Sequence, residues 1–383
     1  ELLNVWQKAQ SRLLVVGQLE PNSDLTESLA LLQSKTNLTI INEVTGNQQD
    51  IEKAINNAFK TSSNLNARDF WGGLPHDTAL KQLDGTFDER LEKISGTEVM
   101  DIVQNMINSA DNEKVNTITG SLNIVSENFE IANTNGLHLN EKATYISGII
   151  NAESEYGTLP VSGIGHASGR TLSNFSAEQV GNDAKIMCIE SINPQKIDSD
   201  NYSIIFEPYS VGELLAFVVA ANFNFKTFSE KKSCFSNNFE ERIAIEKLSL
   251  IDDPHISEGI GTKSVDDEGM ETQKRNLIER GIFKNTFSNL FDSYKEGKQS
   301  SGNASRSGSP MGRSSEPIPI SAPHNLKINP GDISQEDMIK DTKRGLLVGR
   351  LWYTYAVNPI KGDFSCTARS GIRIIENGKI KGP

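Results

Sequence analysis

The apolar positions fall into short runs near the start of the chain and change period twice along it. Residues 11–16 (SRLLVV) and 38–44 (LTIINEV) predict strands, because Leu, Ile and Val cluster over strand-length runs. Residues 49–60 predict an amphipathic helix with Ile51, Ala54, Ile55 and Phe59 on one face. Residues 66–75 (NARDFWGGLP) read as a turn-rich linker. Residues 88–111 predict a helix broken at Gly96, with Val99, Ile102, Val103, Met106 and Ile107 on one side. The pattern then alternates or runs β-rich over 116–124, 127–133, 142–153 and 158–165. With Asn135-Gly136 and Gly157 between these runs, it predicts an antiparallel meander. Residues 172–184 predict another helix, with Ser176, Ala177 and Glu178 at its start.

A third region opens near Ile192. Residues 202–206 (YSIIF) predict a strand that stops at Glu207-Pro208. Residues 212–221 (GELLAFVVAA) are apolar nearly all round and predict a buried helix. A strand is expected within 243–251, an acidic loop over 252–269, and a strand or helical turn from 274 to 279, ended by Gly281. Residues 296–332 are dominated by Gly, Ser, Pro and Asn; so long a stretch without periodicity is expected to be a functional loop or disordered. A short helix (337–342), a strand (346–355) and a hairpin about Asn377-Gly378 (372–381) close the pattern. The fold class read from this is α+β. An N-terminal mixed domain with an antiparallel sheet and helices spans 1–190, as one piece or as 1–95 and 96–190. A mainly-β C-terminal domain spans 191–383.

Charge narrows the function. The chain has 383 residues, with 38 Lys+Arg against 50 Asp+Glu. That balance is wrong for general nucleic-acid binding, which needs clustered cations. The longest apolar run, Leu214 to Ala221, is far short of the ~18 residues of a membrane span. Three scattered cysteines, Cys188, Cys234 and Cys366, form neither a disulfide framework nor a CxxC site. The compartment expected is therefore reducing and cytoplasmic.

Candidate chemistry is sparse. His76, His138, His166, His255 and His324 make no HExxH pair of helix-borne zinc ligands. His138/Glu141 and His255/Glu258 have i, i+3 spacing but lie in loop or strand contexts. Asp266, Asp267 and Glu268, ending at Gly269, could bind a hard cation, form a solvated turn or pair with Lys263, Arg275 and Arg280. Cys366 is a possible nucleophile, with an inert thiol as the simpler reading. No P-loop or GxSxG elbow is present.

Motifs in the last third carry a resemblance. Residues 251–254 (IDDP), 259–261 (GIG), 266–269 (DDEG), 276–281 (NLIERG) and 301–306 (SGNASR) occur in order. They are followed by His324-Asn325, 329–331 (NPG), 345–348 (GLLV), 358–359 (NP), 362–365 (GDFS), Gly371 and 375–378 (IENG). This series resembles the TldD/PmbA family. The resemblance is strong over 250–383, fair over 190–250 and diffuse before that. It implies one of two related subunits of a cytoplasmic metallopeptidase that trims unfolded peptides. In the TldD type a helix carries HExxGH, and zinc is held by its two His and a distant Cys. Residues 212–222 correspond, with Ala216 and Ala221 at the His positions, Phe217 at the Glu and Ala220 at the Gly. No His occurs from 167 to 254, and Cys366 lies too early for the ligand role to be carried over.

The resemblance thus implies a zinc-free, TldE/PmbA-type subunit with no cofactor of its own and no catalytic residue at the motif. Zinc is expected in a TldD-type partner. The partners expected are that homologous subunit or a second copy, and an extended peptide, with no nucleic acid and no membrane. Ser301, Gly302, Asn303, His324 and Asn325 are candidate cleft residues. The rival readings are a self-sufficient hydrolase using Cys366 or the 266–268 carboxylates, and a regulatory protein in keeping with the family's description as modulators of DNA gyrase.

Overall fold

The computed structural model describes residues 13–16, 39–42, 68–76, 83–133, 135–308, 311–314 and 318–383. Two compact units divide the chain, Glu1–Trp71 and Gly72–Pro383. In the first, β1 (Leu13–Val16) and β2 (Thr39–Asn42) pair in parallel, with Leu13 opposite Thr39. Both strands answer to the apolar runs. The helix expected over 49–60 lies outside the described residues.

The second unit begins with two capped helices, α1 (Glu89–Glu92) and α2 (Gly96–Ala110). They are separate because Ser95 starts a new helix through a capping box. Its hydroxyl accepts the Glu98 N–H at 3.2 Å, and the Glu98 carboxylate accepts the Ser95 N–H at 2.9 Å. Strands β3 (Thr117–Ala132), β4 (His138–Ser154) and β5 (Val161–Gly169) form the expected meander, in the order β3-β4-β5. The runs 116–124 and 127–133 are one strand, since Val125 and Ser126 stay in register with Tyr145 and Thr144. Helix α3 (Ala177–Glu190) starts at Ser176, whose hydroxyl caps the Gln179 N–H at 3.2 Å. It begins later and ends later than the 172–184 expected, because Leu172–Asn174 form a turn of their own.

Helices α2 and α3 cover one face of the meander. Met106, Ile146, Ile150, Phe175, Val180, Ala184 and Cys188 are buried between them. The approach is close enough to require glycine. A Cβ on Gly165 would sit 1.9 Å from the Val180 carbonyl oxygen, and one on Gly163 would sit 2.2 Å from that of Ala184.

The rest of the unit is built on two four-stranded sheets and one short two-stranded pair. Strand β6 (Ser203–Phe206) leads into α4 (Pro208–Leu214) and, after two irregular turns, α5 (Phe225–Ser229). Strands β7 (Leu250–Asp252), β8 (Arg275–Glu279) and β9 (Ile282–Phe283) precede α6 (Leu290–Lys295). Then come β10 (Ala304–Ser305), β11 (Ile320–Ser321), β12 (Leu326–Ile328) and α7 (Gln335–Asp341). A long hairpin, β13 (Arg344–Asn358) and β14 (Asp363–Glu376), ends in β15 (Lys379–Gly382). One sheet runs β12-β7-β8-β9, the other β15-β14-β13-β6, with β6 parallel to β13. The Asn377-Gly378 turn has φ of 51° and 73°, the left-handed pair expected there. Only Leu250 and Ile251 of the run 243–251 enter a strand. Within 296–332, residues 300–304, Pro319 and Ser321 are buried, while 296–299 and 327–332 are exposed, so this stretch is packed core at its centre and surface at its ends.

The Gly165 contact gives a direct test of the helix-on-sheet packing. Gly165→Ala should lose at least about 2 kcal/mol in urea unfolding, because backbone rather than a side chain blocks the added methyl. Gly96→Ala, with no atom within 4 Å of the added carbon, should stay within about 0.5 kcal/mol of the parent. Equal stability of the two variants would contradict the packing.

Candidate functional site

The segment after β6 starts as an ordinary helix and then changes its winding. Pro208 occupies its first turn, where no backbone donor is needed. The buried Ser210 hydroxyl donates to the carbonyls of Glu207 (2.8 Å) and Val348 (2.9 Å), fixing α4 to β13. Glu213 accepts the Leu351 N–H at 2.6 Å from the same strand. Leu215–Val219 then widen into a π-helical turn, and Ala220–Phe223 tighten into a 3₁₀ turn.

Val218, Ala220, Asn222 and Phe223 are buried; Ala216, Phe217 and Ala221 are exposed, Phe217 by 62%. The expectation of a helix buried all round therefore fails. Phe223 anchors one side in a cluster of phenylalanines, 5.4 Å from Phe235 and 5.5 Å from Phe283 between ring centroids. That fixed side leaves the opposite hydrocarbon face in solvent.

The acidic run forms a buried turn instead of a solvated patch. Asp266 accepts N–H groups from Glu268 (3.0 Å), Met270 (2.9 Å) and Ala304 (3.0 Å). Burial pushes its carboxyl up to about 6 despite these bonds. Burial also acts on Asp267, but Lys263 at 3.2 Å and Arg313 at 2.6 Å outweigh it and hold this carboxyl below the usual range. Glu268 accepts the Leu290 N–H at 2.7 Å, at the start of α6, and burial raises it to about 7. Gly269 has φ of 86°, which lets the turn close. Of the cations expected near this run, Lys263 pairs with it. Arg275 bonds Gln273 and Arg280 bonds Glu246; Arg313, distant in sequence, takes their place.

Ser301, Gly302 and Asn303 are buried beside this turn. The Ser301 hydroxyl accepts the Ser288 N–H at 2.6 Å, and Asn303 donates to Asp252 at 2.7 Å. Asp252 in turn accepts the backbone N–H groups of His324 (2.8 Å) and Asn325 (3.0 Å). His324 Nε2 donates to the Gly302 carbonyl at 2.8 Å, and burial holds its ring below the usual histidine range. Asn325 accepts the Gly261 N–H at 2.8 Å and donates to the Asp253 carbonyl at 2.8 Å. The structure thus brings these five residues together, with their polar groups bonded inside the protein.

Comparison with known proteins places this arrangement. Residues 199–383 match the family description "PmbA/TldA metallopeptidase C-terminal domain". A metalloprotease of Methanocaldococcus jannaschii is 24% identical over 347 residues, covering 87% of this chain and 73% of the relative. The metalloprotease PmbA of Escherichia coli O157:H7 is 26% identical over 216 residues, covering 56% of this chain and 44% of the relative. In fold, the crystal structure of TldE from Thermococcus kodakarensis superposes with a TM-score of 0.76 at 23% identity, over 88% of this chain and 75% of that one. Residues 199–383 form a domain of the PmbA/TldD family.

Within this fold, the helix that the resemblance aligns with the zinc motif presents hydrocarbon side chains. Ala216, Phe217 and Ala221 carry no donor atom, and among the described residues no group of three or more His, Cys, Asp or Glu is placed to bind a metal ion. Helix α4 carries Tyr209 and Glu213, which sequence reading missed, and His166 lies against it. The His166 and Tyr209 rings meet edge-on at 5.8 Å. Burial raises Glu213 and Tyr209 and lowers His166, so all three favour their neutral forms. Cys366 packs beside Leu346, Val348 and Leu351, and burial raises its thiol. That is the setting of an inert cysteine, not an activated thiolate. His138 opens β4 and bonds Glu130, not Glu141, and His255 contacts Thr272.

The acidic turn makes stability depend on pH. Asp266 and Glu268 keep their protons in the folded chain at pH values where the unfolded chain has lost them. Their contribution therefore grows as pH falls from about 7 towards 4, and shrinks as pH rises through that window. Glu268→Gln keeps the acceptor for Leu290 and removes the titration. It should stabilise the protein at pH 8 by about 1–3 kcal/mol and flatten the change between pH 5.5 and 8 in urea titrations. An unchanged pH slope would contradict this role.

Proposed function

We propose that this chain is the zinc-free, TldE/PmbA-like subunit of a two-subunit cytoplasmic peptidase that trims unfolded peptides. The observation that carries the reading is the motif helix. Where the resemblance implies two His and a Glu, Ala216, Phe217 and Ala221 present a donor-free, exposed face. Alanine and phenylalanine neither ligate zinc nor activate water. An exposed phenylalanine on a helix braced by Ser210 and Phe223 is suited to packing against another subunit.

Zinc and the general base come from a homologous partner carrying HExxGH, and this chain supplies cleft wall and interface. An extended peptide is bound by strand addition, for which β3 and β5 offer the edges of the meander. The DDEG motif is tied to the meander through Arg313, which bonds Asp267, Glu127 and Glu141. Among the described residues no helix is long and apolar enough to cross a membrane.

Reconstitution tests the reading. The isolated chain should not cleave an unfolded peptide, and adding an HExxGH-bearing homologue should give cleavage faster than the homologue alone. Phe217→Asp, at an exposed position, should leave stability within about 0.5 kcal/mol and lower the reconstituted rate at least about tenfold. Cleavage by the isolated chain that is lost in Cys366→Ala or Asp267→Ala would instead establish a self-sufficient hydrolase.

A further inference from the structure

A cavity of about 740 Å³ lies between the meander and the β13–β14 hairpin, within the size range of ligand sites. Its walls meet where the Ser162 and Ser370 hydroxyls approach to 3.1 Å. Arg350 stands directly opposite Ser370 in the hairpin ladder, so the two side chains share a face. The next pair is Leu351 with Ala368, which leaves Arg369 as the extra residue of a β-bulge. Bulges redirect side chains, and this one places a second guanidinium beside the first. Trp352 receives both, at 4.2 Å from Arg369 and 5.3 Å from Arg350.

Neither guanidinium is otherwise occupied. Among the described residues, Arg350 and Arg369 make no ion pair or hydrogen bond, and Arg350 Nε is buried without a partner. Glu213 lies near enough to feel the Arg350 charge but spends its bond on Leu351 N–H. The contrast along the same hairpin is sharp. Arg373 is held by Glu190 at 2.8 Å and Glu207 at 2.6 Å, and Arg344 pairs with Asp200. In a chain with 50 acidic residues against 38 basic ones, two unpaired arginines lining one cavity call for an acceptor from outside.

We propose that this cavity binds a carboxylate, and that the carboxylate is the C-terminal group of a short peptide. Planar guanidinium forks match the two oxygens of a carboxylate. Glu153 and Glu155 also line the cavity, from the meander side, and disfavour a polyanion such as a phosphate ester while suiting a ligand whose other end is an amine. Asn151, which donates to Glu153 at 2.8 Å, and Ser162 also line the cavity and offer polar atoms to peptide groups. The peptide part of this inference rests on the peptidase-subunit reading; carboxylate recognition rests on the two arginines alone.

Calorimetric titration of the purified chain with trialanine, trialanine amide and inorganic phosphate tests it. Saturable binding of trialanine is expected, weakened at least about tenfold in the amide and in Arg369→Gln, an exposed position whose change leaves the fold intact. Arg350→Gln should weaken binding to the same degree. Equal binding of acid and amide, unchanged binding by Arg369→Gln, phosphate binding as tight as trialanine, or no binding of trialanine would each overturn the proposal. Reconstituted peptidase activity is read separately, so loss of carboxylate discrimination with activity intact sinks this inference alone.

Discussion

Arg313 is where the meander is tied to the loops that carry the family motifs. Its guanidinium donates to Asp267 at 2.6 Å, Glu127 at 2.5 Å and Glu141 at 3.1 Å, and stacks 3.9 Å from the centre of the Phe129 ring. Lys263 adds a second cation on Asp267. Burying three carboxylates costs several kcal/mol each unless they are paired, and only a planar five-donor cation reaches all three at once. The carboxylates outweigh the cost of burying the guanidinium and hold it more firmly protonated than usual. Arg170 repeats the device nearby. It donates to the carbonyls of Thr86 (2.9 Å) and Ile260 (3.0 Å) and lies 4.2 Å over the Tyr145 ring. A polar cavity of about 300 Å³ remains between the two arginines.

This constraint propagates. With Asp267 fixed, Asp266 can cap Ala304, and Glu268 can cap α6. Asn303 follows Ala304 into place and reaches Asp252, which holds His324 and Asn325. The acidic motif is thus a structural keystone whose carboxylates bond backbone N–H groups, Arg313 and Lys263. The ionisable groups of this half of the molecule are spent on holding loops, while the helix that faces solvent presents Ala216, Phe217 and Ala221.

Much of the fold was legible in the sequence for local reasons. The meander, the Ser176 cap and the Asn377-Gly378 hairpin each rest on short-range signals, and each is present. The Ser95 capping box explains the break that Gly96 only suggested. What escaped was long-range. Nothing near residues 296–332 shows that its serines and Asn303 are buried, because their partners Ser288 and Asp252 lie elsewhere in the chain. Arg313 sits in an unpatterned polar stretch, and its carboxylates come from β3, β4 and the acidic turn. The 212–221 segment misled because a run of apolar residues does not say which face a π-helical turn exposes. The bulge that aims Arg369 is invisible until the β13–β14 register is known.

The account turns on whether the donor-free helix face means a subunit without metal. Elemental analysis of the purified chain, alone and in complex with an HExxGH-bearing homologue, tests this most directly. The expected result is no stoichiometric zinc in the isolated chain and one zinc per heterodimer, contributed by the homologue. One tightly retained zinc per isolated chain would contradict it.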